Sequence, residues 1–106
     1  MGRKLFESKT KSIWIEIKVY ESDEGQIIVY GHDSGKVVKA LKRSYDYEYY
    51  VTIEPKDKQQ LLDQLNLDTT ESLFDWFEQH FSHDKAISQL KKQLDEWGIA
   101  YQFSTW

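Results

Sequence analysis

Residues 45–55, Tyr45-Asp46-Tyr47-Glu48-Tyr49-Tyr50-Val51-Thr52-Ile53-Glu54-Pro55, constrain the fold more than any other stretch of this chain. Read with a period of two, Tyr45, Tyr47, Tyr49, Val51 and Ile53 share one face; Asp46, Glu48, Tyr50, Thr52 and Glu54 share the other. Side chains alternate across a sheet, so the pattern predicts a strand with one apolar, inward face. Pro55 has no N–H to give a ladder and ends it.

Two other stretches alternate in the same way. In 12–20, Ile13, Ile15, Ile17 and Val19 oppose Trp14, Glu16, Lys18 and Tyr20. Gln26–Tyr30 follows the polar turn 21–25, whose last residue, Gly25, suits a left-handed position. Gly31-His32-Asp33-Ser34-Gly35 reads as the next turn, and short polar loops favour antiparallel neighbours. Residues 1–11 are basic and polar around Leu5 and Phe6 and read as a loosely ordered start. Segment 36–44 fits a short helix (Val37, Val38, Leu41) or the beginning of a strand.

After Pro55 the apolar period lengthens to that of a helix. Leu61, Leu62 and Leu65 mark a first helix over 56–65, with Pro55 in its first turn. Leu73, Phe74, Phe77 and Phe81 mark a second over 70–81, capped by Asp68, Thr69 or Thr70. Ile87, Leu90, Leu94 and Trp97 mark a third over 84–97, with Ser82 as its cap and Gly98 just past its end. Residues 99–106 alternate again as a last strand. The order β-β-β-α-α-α-β gives an α+β fold. An antiparallel sheet of about four strands carries two or three helices on one face, in a single domain spanning 1–106.

Helices on one face leave the other face wet, and that face would carry Trp14, Tyr20, Tyr50 and either Ile28 or Tyr30. The chain is rich in such rings, with seven Tyr, five Phe and four Trp in 106 residues. Its net charge of −4 is uneven. Residues 1–44 hold nine Lys/Arg against six Asp/Glu, and residues 45–106 hold five against twelve. Such asymmetry can orient a charged partner.

The chemistry of the side chains narrows the function classes. There is no cysteine, hence no disulfide, thiolate site or thiol nucleophile. His80 and His83 precede Asp84, but the Phe81-Ser82 break would splay the rings, and no third ligand stands at metal-site spacing. His32-Asp33 is a weaker version of the same idea. No nucleophile elbow or phosphate loop is present. No metal and no cofactor is therefore expected, and no enzymatic activity. No apolar run approaches the roughly 20 residues of a membrane-spanning helix, and the basic start lacks a signal peptide's apolar core. The expectation is a cytoplasmic protein.

Nucleic acid would find aromatics beside Lys36, Lys39, Lys42 and Arg43, but Asp46, Glu48 and Glu54 repel phosphates. A protein partner fits better, because Tyr and Trp supply contact area at small entropic cost and interleaved acids complement a basic surface. The expected site comprises Trp14, Tyr20, Asp46, Glu48, Tyr50 and Glu54. It would act as an inhibitor or immunity-like binder neutralising a basic protein. The alternatives are a homodimer formed through the same face or through the last strand at Trp106, and a small-ligand or nucleic-acid-binding domain.

Overall fold

A computed structural model describes residues 2–36, 38–39 and 46–105 of the chain. The expected conformations of 36–44, of Tyr45 and of Trp106 lie largely or wholly outside the described residues. Five strands form one antiparallel sheet: β1 (Gly2–Lys9), β2 (Trp14–Glu21), β3 (Ile27–Ser34), β4 (Asp46–Ile53) and β5 (Gln102–Thr105). Strand order follows chain order. Helices α1 (Pro55–Leu65), α2 (Thr70–His80) and α3 (Ala86–Trp97) lie between β4 and β5 in the chain. The α+β class and antiparallel sheet agree with the sequence pattern, with one strand more than it showed.

That extra strand is β1, in the segment expected to be loosely ordered. Its pairing with β2 shifts register between Lys4 and Phe6, so Leu5 is the added residue of a bulge. A bulge breaks the period of two, which lets Leu5 join the core while Phe6 also packs against it. Arg3 fastens the strand to α2. Its guanidinium bonds Glu71 and Asp75, lies 3.3 Å from Glu78, and sits 5.9 Å from the centre of the Phe74 ring.

The inward face of the sheet is aliphatic. Ile17, Val19, Ile27, Val29, Val51 and Ile53 are at most 1 % exposed. Over them pack Leu61 and Leu62 of α1, Leu73, Phe74 and Phe77 of α2, and Ile87, Leu90 and Leu94 of α3. Fully burying one such side chain is worth about 1.5–3 kcal/mol, so this single layer dominates stability.

The helix ends follow ordinary capping rules. Pro55 is the first residue of α1. Thr69, one of the three candidates, caps α2 by accepting a hydrogen bond from the Ser72 N–H at 3.0 Å. Ser82 does not cap α3, which begins two residues later than expected, at Ala86, after Lys85. Gly98 closes α3 with φ +67°, and Gly25 takes φ +79° in the β2–β3 turn.

Residues 31–34 are strand, not turn. β3 continues to Ser34 because Gly31 pairs with Tyr49 and the tyrosine ring lies over the glycine. A Cβ at Gly31 would fall 2.0 Å from Tyr49 Cε2. Gly31→Ala should therefore push the ring aside and cost about 1–3 kcal/mol, as overpacking does. Thermal melts check this: a clear fall in Tm is expected, and Tyr49→Ala should largely relieve it in the double variant. A Gly31→Ala protein melting like the wild type would show that the ring does not occupy this place.

Candidate functional site

Because α1, α2 and α3 pack on one side, the outer residues of the strands form a second face built from cross-strand rows. One row runs Lys4–Lys18–Tyr30–Tyr50–Ser104, and the next Glu7–Glu16–His32–Glu48. Beyond these lie Lys9–Trp14–Ser34–Asp46 on one side and Gly2–Tyr20–Ile28–Thr52–Gln102 on the other.

Rings make a continuous stripe across three strands. Tyr30 and Tyr50 stack with centroids 5.0 Å apart and planes 9° apart. Tyr30 also stacks on His32 at 6.3 Å, and His32 meets Trp14 at 6.0 Å. Trp14, Tyr20, Tyr30 and Tyr50 are all half-buried, standing on the sheet without being enclosed by the molecule. A depression of about 500 Å³ opens between Tyr20, Tyr30 and Tyr50, with Lys4 and Lys18 on its rim.

Three polar ends in the stripe are held. Trp14 Nε1 donates to Glu7 Oε2 at 3.0 Å, and the Tyr50 hydroxyl donates to Glu48 Oε2 at 2.8 Å. His32 Nε2 lies 2.9 Å from Asp46 Oδ1. Lysines of the same molecule already use the rings: Lys9 Nζ lies 5.6 Å from the Trp14 ring centre and Lys18 Nζ 5.2 Å from that of Tyr30. Cations are drawn to ring faces by the ring quadrupole.

Charge is divided along the stripe. At the β1–β2 end Lys4 sits 3.0 Å from Glu7 and 3.8 Å from Glu16. The Lys4 ammonium and the Trp14 N–H hold the Glu7 carboxyl below the usual carboxylate range. At the β4 end Glu48 accepts a hydrogen bond from the uncharged Tyr50 hydroxyl. Removal of water, and then the nearby Glu48 carboxylate, push the Tyr50 phenol up to about 12, so it remains a neutral donor.

The expected site residues are only partly brought together. Trp14, Asp46, Glu48 and Tyr50 belong to the stripe or touch it, and Tyr20 walls the depression. Glu54 does not belong. It follows the end of β4, where its carboxylate accepts from Gln26 Nε2 at 2.8 Å and ties the β2–β3 turn to the start of α1. Tyr30 and His32 belong to the stripe although the sequence pattern places His32 in a turn and offers Tyr30 only as the alternative to Ile28.

Other candidates hold less. His80 lies against Trp76, while His83 accepts from the Lys85 N–H. Among the described residues no three His, Asp or Glu are grouped to hold a metal, and no helix is long and apolar enough to cross a membrane. Lys42 and Arg43 lie outside the described residues.

On the helix side of the sheet, Asp33 is half-buried and accepts from the Tyr49 hydroxyl at 2.7 Å. Burial raises the Asp33 carboxyl above the ordinary aspartate range, and the Tyr49 bond opposes this only in part. The folded state thus binds its proton more tightly than the unfolded state. Its stability contribution is complete below the unfolded value and is lost as pH rises through the folded one. Asp33→Asn keeps an oxygen for Tyr49 and removes the titration. Its melting temperature should gain on the wild type between acid pH and neutrality; an unchanged or reversed difference in paired melts would contradict this.

Compared with known proteins, the chain matches no family model, no curated protein sequence and no solved structure.

Proposed function

We propose that this protein is a non-enzymatic interaction module of the cytoplasm. Its open sheet face receives Lys or Arg side chains of a basic protein partner, in the manner of an inhibitor or immunity protein. The observation that carries this reading is the Trp14–His32–Tyr30–Tyr50 stripe, pinned at its polar ends and flanked by Glu48. Rings already held in place lose little freedom on binding, which removes one of the main costs of association. Aromatic side chains of this kind supply most hot spots at interfaces.

The basic character of the partner follows from the face itself. Its rings bind ammonium groups within the molecule, and Glu48 stands beside the Tyr30–Tyr50 stack, accepting from the neutral Tyr50 hydroxyl. An incoming guanidinium could lie on the Tyr50 ring and pair with Glu48 together. Nucleic acid suits this face less well, since Glu7, Glu16, Asp46 and Glu48 repel phosphate along the stripe.

Titration of labelled protein with an arginine-rich peptide checks the proposal. Amide shifts should map to Trp14, Tyr30, Glu48 and Tyr50, weaken with added salt, and be absent with a glutamate-rich peptide and with single-stranded RNA. Tyr50→Ala should weaken binding by about 30-fold, the effect of losing an interface anchor. Circular dichroism should show that the variant stays folded. Shifts confined to the outer acids of α2 (Glu71, Asp75, Glu78), or a Tyr50→Ala protein that binds normally, would sink it.

A further inference from the structure

The sheet has two edges, and they are treated differently. β1 carries the features that discourage edge pairing: a bulge at Leu5, charged Arg3, Lys4, Glu7 and Lys9, and a tie through Arg3 to α2. β5 carries none of them. Gln102, Phe103, Ser104 and Thr105 have no charge, all four are exposed, and the pairing with β4 is regular. At the middle of this strand stands Phe103, 42 % exposed, the one large apolar side chain among the described residues left that open.

We propose that β5 pairs with β5 of a second copy of this chain, antiparallel about a two-fold axis centred on Phe103. The two five-stranded sheets then become one, with the helices of both copies on the same side. Parity restricts the register to axes that pass through a residue, and among these the axis on Phe103 places the exposed ring at the centre of the pair. In a two-fold antiparallel pair that keeps each face continuous, residues standing opposite one another must point to the same side of the sheet. Phe103 then faces Phe103 of the second copy on the helix side, and Gln102 faces Ser104 on the open side. Both contacts are self-compatible: an aromatic pair covers the exposed ring, and an amide meets a hydroxyl with no like charges in apposition. Lys91 Nζ, 3.6 Å from the Phe103 ring centre, already shields the ring from the α3 side.

A strand of four residues buries less than a standard interface, so the pairing should be weak, with half-dimerisation on the order of 0.1 mM. The proposal is independent of the open-face reading, whose residues lie on β2, β3 and β4.

Sedimentation velocity between about 10 µM and about 1 mM tests it, a range that brackets the expected affinity. The wild type should pass from monomer to dimer across this range. Gln102→Lys/Ser104→Lys places lysines opposite lysines and should weaken dimerisation at least tenfold. Gln102→Glu/Ser104→Glu should do the same, and an equal mixture of the two variants should recover the dimer, because each lysine then meets a glutamate. All four positions are exposed, so the fold should survive. If a variant loses its circular dichroism signal, hydrogen exchange on the wild type replaces it: amides of 102–105 should slow as concentration rises. A wild type that stays monomeric at 1 mM, a lysine variant that dimerises normally, a mixture that stays monomeric, or exchange in 102–105 that ignores concentration would each overturn the proposal.

Discussion

The burial of six aliphatic side chains on one side of the sheet, Ile17, Val19, Ile27, Val29, Val51 and Ile53, is the constraint from which the other features descend. Helices α1, α2 and α3, with their apolar stripes, cover one face of the five-stranded sheet. Strand side chains alternate without exception outside bulges, so fixing the inner set also fixes the outer one. Trp14, Tyr20, Tyr30, His32 and Tyr50 face outward because their neighbours in the chain face the helices. The stripe is a geometric consequence of the core, but its composition is not. A solubilising face needs polar residues, not stacked rings whose hydroxyl and indole groups are held by Glu48 and Glu7.

Tyrosine shows how parity alone divides one residue type between two roles. Tyr49 points to the helices, where its ring lies over Gly31 and its hydroxyl reaches Asp33. Tyr50, its neighbour, points away and stacks on Tyr30. The two phenols are both pushed up by loss of water, yet one closes the end of the core and the other builds the open face. A slip of one residue in the β3–β4 register would exchange them, which is why Gly31 matters. Only a residue without a side chain accepts the Tyr49 ring there, and this locks the register that sets the whole outer face.

Most of the fold was legible because periods of two and 3.6 are written directly in the chain, as in Ile15-Ile17-Val19 and Leu73-Phe74-Phe77. What escaped depends on distant partners. Leu5 and Phe6 are adjacent and both face inward, a pattern no regular strand gives; only the bulge against Ile17 makes sense of it. Gly31 looks like a turn residue until Tyr49 is placed above it. Glu54 shares the parity of Asp46 and Glu48, but the chain turns into α1 there and Gln26 takes its carboxylate. His32 belongs to the stripe because β3 runs on to Ser34, and Tyr30, not only Ile28, takes the outer face because it pairs with Tyr50. Local pattern decides which face a side chain takes; cross-strand pairing decides what it touches.

The two edges show the same division from another side. β1 is held by an ion cluster in which one arginine faces three acids of α2, so its strand is fastened by charge and its own edge is guarded by charge. β5 reaches the sheet straight from α3 through Gly98 and Ile99, and Ile99 is buried at the base of the strand. Its anchoring is apolar and lies outside the strand itself. This anchoring does not depend on charge within Gln102–Thr105, and Phe103 stays 42 % exposed even with Lys91 over its ring. Charge on an edge strand is the common protection against pairing. A chain with 30 % charged residues that places none of them on one edge, and a phenylalanine at its centre, has left that edge available for contact.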